Sequence, residues 1–512
     1  MSNQERFKRF SDSKLIREDL KGKSVRGALS TAAWSGIDFG LKMAATVILA
    51  RLLTPEDYGL VAMVTAVTGM ADGVRDLGLS TATVQTDEIN HCQVSNLFWI
   101  NAGGGAFFFL LFCGMSFGLG WFYGEPRLVP ITVAISLTYI LSGLSVQHGA
   151  LLSRQIKQGH LAGIRLIAGI LSAIAAILFA LKGYGYWALV YRELIRGVLI
   201  PFGLWVCCPW IPGLPNRNAK IGNLLRFGRD LSLISIIIGL LSRFNELLVG
   251  KLFGSTSLGL YRQAHNLILV PLDEINGPIL SVAQPSLSRL HSYPDQYRKY
   301  YQRILFCVAA AGIPFGIIVA VFSKEITLVL LGKKWVDCAP FVMVFAMHAA
   351  IGSAAGTGGL VLISLGKTKR ALFLLLAYSL LLLGFVLLGT HWGPIGVAAS
   401  TLVTGLVFMV PSLYLSFRNT PLSVGFFFGT MRPPLIAGIV MLGAVLAFKR
   451  FAPITGVVQS LAVGAAVGSL AYLLVIFLLP GSRRLTTALL GDVVSSFRGK
   501  GRSGSKERLD PA

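Results

Sequence analysis

The chain has 512 residues, 54% of them hydrophobic and 13% charged, and a mean hydropathy of +0.68. That composition excludes a soluble globular chain, because apolar runs of about 20 residues, enough to cross about 30 Å of hydrocarbon as helix, recur along its whole length. The net charge of +23 is read as membrane topology and not as nucleic-acid binding. Lys and Arg concentrate in alternate connections between the runs, which marks those connections as cytoplasmic.

In lipid every backbone N–H and C=O must be paired internally, so the runs are expected to be helices. The alternating pattern of a membrane β-barrel is absent. A basic N-terminal tail, 1–27, comes first. It reads either as an amphipathic helix on anionic lipid, with Phe7, Phe10 and Lys14 near one face, or as a disordered basic tail. No cleaved signal peptide is expected, since the first apolar run is too long and follows a charged tail. The expected spans then run 28–50, 59–84, 96–121, 128–150, 161–181, 186–208, 230–250, 258–284, 304–322, 340–365, 371–389, 394–417, 431–448 and 455–480, about fourteen in all.

The Pro-rich basic connection 209–229 (Pro209, Pro212, Pro215, Arg217, Lys220, Arg226) divides the spans. The first lobe is 28–208 and the second is 230–417, with a helix pair at 418–480 and a basic, solvated tail at 481–512. The fold class is an all-α polytopic membrane protein. It has two lobes of about six helices each, related by a parallel pseudo-twofold repeat, plus the C-terminal pair. The repeat is suggested by segment 51–60, which 251–260 echoes in its basic residue, Leu, Gly and final Leu. Pro271, Pro278 and Pro285 should kink the eighth span. The connections are too short for a folded extramembrane domain, and both tails are expected to be cytoplasmic. The six cysteines lack metal or redox spacing and are read as small apolar residues.

Charges inside spans are costly and normally face a partner or a water-filled cavity. Here they gather in the first two spans of each lobe: Asp38 and Lys42, then Asp72, Arg75 and Asp76, then Arg243 and Glu246, then Asp273 and Glu274. Glu193 and Arg196 add to them on the sixth span. The repeat would bring the four helices to one cleft. Lys42, Arg75, Arg243 and Arg196 are the expected substrate-binding residues, because Arg matches pyrophosphate oxygens through paired N–H donors. Asp38, Asp72, Asp76, Glu246, Asp273 and Glu274 would balance charge or couple H⁺ or Na⁺. The competing reading is a set of internal ion pairs that lock helices. Glu56 and Asp57 are expected to cap the second span, and His348 is read as a core histidine. No cofactor or metal is expected. The chain has no Gly-x-Ser-x-Gly, Gly-x-x-x-x-Gly-Lys-Ser/Thr or His-Glu-x-x-His constellation, so a transporter is expected and an enzyme is not.

The segment Ala50-Arg51-Leu52-Leu53-Thr54-Pro55-Glu56-Asp57-Tyr58-Gly59-Leu60, with Asp76-Leu77-Gly78-Leu79-Ser80 and Val84-Gln85, resembles the polysaccharide-transporter family. This is the Wzx-type flippase branch of the multidrug/oligosaccharidyl-lipid/polysaccharide exporter superfamily. Leu331-Gly332-Lys333-Lys334-Trp335, Leu365-Gly366-Lys367-Thr368-Lys369 and Gly393-Pro394-Ile395-Gly396-Val397-Ala398 resemble later landmarks of it. The resemblance implies two six-helix lobes around an alternately opening cleft in a bacterial inner membrane. It implies undecaprenyl-pyrophosphate-linked oligosaccharide as passenger, moving to the periplasmic leaflet for exopolysaccharide, capsule or O-antigen assembly. Membrane lipid and other polysaccharide-assembly proteins are the implied partners. A cation-coupled multidrug exporter and a membrane-embedded polymerase are the alternatives. The site residues rest on the charge pattern and not on the resemblance.

Overall fold

A computed structural model describes residues 20–86, 88–452, 456–479, 482–483 and 485, leaving out the side chains of 20–35, Asp72 and a few others. The expected tail features at Phe7, Phe10 and Lys14, and nearly all of 481–512, lie outside the described residues. The helices are α1 (Leu20–Leu52), α2 (Pro55–Thr68), α3 (Leu79–Gln85), α4 (His91–Tyr123), α5 (Leu128–Gly143), α6 (Val146–Arg154), α7 (Gln158–Leu181), α8 (Trp187–Cys207), α9 (Gly222–Arg289), α10 (Pro294–Val321), α11 (Ser323–Leu330), α12 (Ala339–Ala355), α13 (Thr357–Ser364), α14 (Thr368–Gly389), α15 (Gly393–Phe417), α16 (Val424–Phe451) and α17 (Val457–Leu478). Short 3-10 turns lie at Gly69–Val74, Lys333–Cys338 and Thr390–Trp392, and no strand occurs among the described residues.

Among the described residues seven helical stretches are long and apolar enough to cross a membrane, or eight if the bent pair α5 and α6 is one span. Thr368–Phe417 is one of the seven. As a straight helix it would be about 75 Å long, far beyond a bilayer core, so its break at Thr390–Trp392 separates α14 from α15. α4 shows the inside-out pattern of a lipid-facing helix. Phe107, Phe117 and Trp121 are exposed, while Asn96, Asn101 and Ser116 are buried. The chain is a multi-pass, all-helical membrane protein.

The described chain divides into two compact units. One holds everything to Leu267 with Thr327–Phe341 and Leu383–Ser400; the other holds Ile268–Ile326, Val342–Leu382 and the chain from Thr401. In the first unit, α2 begins with a capping box. Asp57 N donates to Thr54 Oγ1 at 3.3 Å, and the Asp57 carboxylate accepts from Thr54 N at 2.9 Å. Asp57 therefore caps as expected. Glu56 instead pairs with Arg127 at 2.6 Å, and Arg127 also holds Glu125 at 2.8 Å.

The echoed segments meet in this unit. A Cβ on Gly59 would stand 1.8 Å from the Ser255 carbonyl oxygen, and one on Gly259 would stand 1.9 Å from that of Pro55. The contact is reciprocal, each glycine lying on the carbonyl one turn before its counterpart. The basic residues also act alike. Arg51 donates to the Val329 carbonyl at 2.5 Å, at the end of α11. Lys251 donates to the Phe122 carbonyl at the end of α4 and lies 4.8 Å above the Phe122 ring. Each quenches carbonyls that a helix C-terminus leaves without partners.

α9 holds the expected seventh and eighth spans, 230–250 and 258–284, on either side of one non-helical residue. Its backbone stays helical through Pro271, Pro278 and Pro285, and the non-helical residue inside it is Gly254 (φ 81°, ψ 178°). A residue with a Cβ rarely adopts that φ, so the turn between the two spans falls at the glycine. In the second unit, Tyr297 and Tyr301 are buried and their hydroxyls bond Ser364 Oγ at 2.9 Å and Thr357 Oγ1 at 2.8 Å. The expected C-terminal pair is α16 and α17. Phe427, Met441, Tyr472 and Ile476 from these helices share one buried cluster with Tyr301 and Phe306 of α10. Lys449 pairs with Glu325 at 2.7 Å.

Candidate functional site: an arginine-lined cavity

The first unit contains a cavity of about 300 Å³ bordered by α2, the Gly69–Val74 turn, α5, α8 and α9. Four arginines line it: Arg75, Arg192, Arg243 and Arg262. Glu193 is the acidic residue among the lining side chains, and Tyr58, Tyr139, Thr65, Thr68, Thr138 and Asn266 add further polar groups.

Local structure holds the guanidinium groups in place. Gly69 gives Arg243 its room, since a Cβ there would come within 3.3 Å of the guanidinium carbon. Arg75 donates to the Thr138 carbonyl at 2.6 Å and lies 4.9 Å from the centre of the Tyr139 ring. The Tyr139 hydroxyl in turn donates to the Thr68 carbonyl at 2.5 Å. Arg262 donates to Thr65 Oγ1 and approaches the Ala62 carbonyl at 3.5 Å. Glu246 stands between two of the cations, 3.5 Å from Arg243 and 3.5 Å from Arg262, and is largely buried. One carboxylate between two guanidinium groups leaves N–H donors that an anion can take.

Two aromatic rings pack together at the Tyr58 end of this cavity. The Tyr58 ring packs edge-on against Trp335 at 5.3 Å, and the Trp335 indole N–H donates to the Ala50 carbonyl at 2.7 Å. Trp335 is fully buried.

The expected site residues separate into groups. Arg75 and Arg243 share the cavity just described. Lys42, Arg196 and Asp38 line a different one of about 230 Å³ between α1, α7 and α8, with Arg165. There Lys42 and Asp38 form an ion pair at 2.5 Å, one helical turn apart. Arg192 lines both cavities. Asp76 accepts from Gly78 N at 2.8 Å and from Ser80 Oγ, so its carboxylate holds the turn into α3. The Asp72 side chain lies outside the described residues. Asp273 and Glu274 are exposed on the part of α9 that belongs to the second unit. His348 of that unit lines an apolar cavity of about 390 Å³ with Gly352 and Gly405 against its ring.

Arg192 and Arg262 did not stand out in the sequence. Arg262 is a lone cation in an apolar stretch, and Arg192 stands beside Glu193 and one turn before Arg196; a charge within a span was the available signal. No group of His, Cys, Asp and Glu suited to hold a metal occurs among the described residues.

Fold and site together define a multi-pass, all-helical membrane protein with a cation-lined internal cavity. Residues 48–340 match the family model described as "Polysaccharide biosynthesis protein", and the chain belongs to that family. The resemblance to Wzx-type flippases of the multidrug/oligosaccharidyl-lipid/polysaccharide exporter superfamily is borne out. The chain is 24% identical over 446 residues to the Lipopolysaccharide biosynthesis protein WzxC of Escherichia coli (strain K12), covering 83% of this chain and 89% of that one. It is 24% identical over 477 residues to the Teichuronic acid biosynthesis protein TuaB of Bacillus subtilis (strain 168), covering 87% and 94%. Among solved structures it is similar to the Lipid II flippase MurJ in an inward closed conformation. That match has a TM-score of 0.70 at 14% identity and covers 88% of this chain and 98% of that one. A multidrug resistance MATE family transporter in an inward-facing conformation gives a TM-score of 0.57 at 13% identity, covering 79% and 99%. At these identities the structures establish the fold alone.

Proposed function

We propose that the chain is a flippase that carries undecaprenyl-pyrophosphate-linked oligosaccharide from the cytoplasmic to the periplasmic leaflet. It works by alternating access, in two lobes at 28–208 and 230–417, and serves exopolysaccharide, capsule or O-antigen assembly. Its place is the bacterial inner membrane, with both termini cytoplasmic, and it acts without catalysing a reaction. The observation that carries this reading is the cavity with Arg75, Arg192, Arg243 and Arg262 on its walls and Glu246 between two of them. Four guanidinium groups in a partly desolvated space suit a diphosphate, whose oxygens accept paired N–H bonds. The names of the relatives, in lipopolysaccharide and teichuronic acid biosynthesis, support a passenger destined for a surface polymer.

The Tyr58–Trp335 end would be the periplasmic side, by the distribution of Lys and Arg. Glu246 would neutralise Arg243 and Arg262 when the cavity is empty and give way to the phosphates when it is full. Glu193 and Glu246 are the carboxylates placed to couple H⁺ or Na⁺. The same cavity disfavours a cationic drug as passenger, because like charges in a low dielectric repel strongly.

The test is export in a strain lacking the chain, complemented with Arg75→Ala or Arg243→Ala at normal expression. Each variant should lose most surface polymer. Full export by both variants would remove the assignment.

A further inference from the structure

A second opening of the first unit lies farther along α9, the helix that also borders the arginine cavity. It has a volume of about 340 Å³ and is bordered by Gln85, Thr86, Gln93, Lys220, Asn223 and Phe227. α9 and the segment leading into α3 run antiparallel in close contact between the two openings. A Cβ on Gly239 would come within 2.8 Å of the Met70 carbonyl oxygen, one on Gly73 within 2.7 Å of Ser235 Cβ, and one on Gly228 within 2.5 Å of the Leu77 carbonyl oxygen. Arg243 marks the inner end of this track and Asn223 the outer end, about 30 Å away at the rise of an α-helix.

The chemistry of the outer opening differs from that of the inner one. Gln93 is committed to the wall, its amide donating to the Lys220 carbonyl at 3.1 Å and accepting from Asn90 N at 3.1 Å. The side-chain amides of Gln85 and Asn223 make no hydrogen bond among the described residues, and both are exposed. Phe227 shows 38% of its surface beside them. A planar amide presents a donor and an acceptor side by side, which matches a pair of neighbouring hydroxyls. An exposed ring face takes the C–H face of a pyranose. A pocket with a few convergent polar groups over an apolar floor is the usual form of a small-ligand site.

We infer that the opening at Gln85, Asn223 and Phe227 is a saccharide subsite, which holds distal sugars of the passenger while its pyrophosphate occupies the arginine cavity. The inference rests on the flippase reading and adds to it a place where the glycan is recognised. Lys220, at the rim, would favour acidic sugars.

The experiment is binding to purified full-length protein in lipid nanodiscs with two probes. One is undecaprenyl pyrophosphate without sugar; the other is lipid-linked oligosaccharide extracted from cells lacking this chain. Asn223→Ala, Phe227→Ala and Gln85→Ala should each weaken the glycosylated probe, by about tenfold for Phe227→Ala, and leave the sugar-free probe unchanged. Arg243→Ala should weaken both. Equal loss of both probes, or no loss of either, in the three outer variants would overturn the subsite and leave the flippase reading standing. Failure of wild-type protein to bind either probe would overturn both.

Discussion

Glu246 is the carboxylate that pairs with two of the arginines at the cavity, Arg243 and Arg262. It holds Arg243 and Arg262 at 3.5 Å each, and under the proposed function an incoming diphosphate would displace it. Glu246→Gln should therefore tighten binding of undecaprenyl pyrophosphate several-fold and slow export, because the passenger no longer has a competitor to help release it. Titration of nanodisc-embedded protein and surface-polymer assays read the two effects separately. Outside the spans, Arg127 lowers the Glu125 carboxyl pKa below its usual range through a hydrogen bond, against the opposing pull of burial. A carboxyl depressed in the folded state contributes stability above its unfolded value and loses it as pH falls through the depressed value. Thermal unfolding in detergent at neutral pH and at an acid pH below that depressed value should show Glu125→Gln lowering the neutral-pH melting temperature while changing the acid one little.

The reciprocal contact of Gly59 and Gly259 belongs to the helices and not to either residue alone. The obstructing atoms are backbone carbonyls of Ser255 and Pro55, which cannot rotate away as a side chain would. Alanine at either position must part the elements, at a cost of about 1–3 kcal/mol, and the two substitutions should behave alike. Melting temperatures of the single variants test this, and an unchanged melting temperature for Gly59→Ala would refute it. α9 teaches a related lesson. The turn between the expected spans 230–250 and 258–284 falls at Gly254, while the backbone stays helical at the three prolines that follow. Proline removes one donor and can be absorbed by packing, whereas a φ of 81° is directly available to glycine alone.

For the whole molecule, the charge distribution makes a topological claim. A phosphatase reporter inserted in the turn 124–127 should be active, and one inserted in the connection 209–221 should be inactive. Activity at 209–221 would reverse the orientation and with it the direction of transport. The pattern of apolar runs was enough to establish an all-helical membrane protein, because lipid leaves the backbone no other way to satisfy its hydrogen bonds. Charge within apolar runs pointed to Arg75 and Arg243, and both line the arginine cavity. Capping by Asp57 was also legible, since a capping box is a local contact between residues three apart. Which charges share a space was not. Lys42 and Arg196 went to one cavity, Arg75 and Arg243 to another, and Asp76 to a turn, while Arg262 arrived unannounced. A one-dimensional pattern records that a charge must find a partner in the membrane; the rotation and crossing of the helices determine which partner it finds.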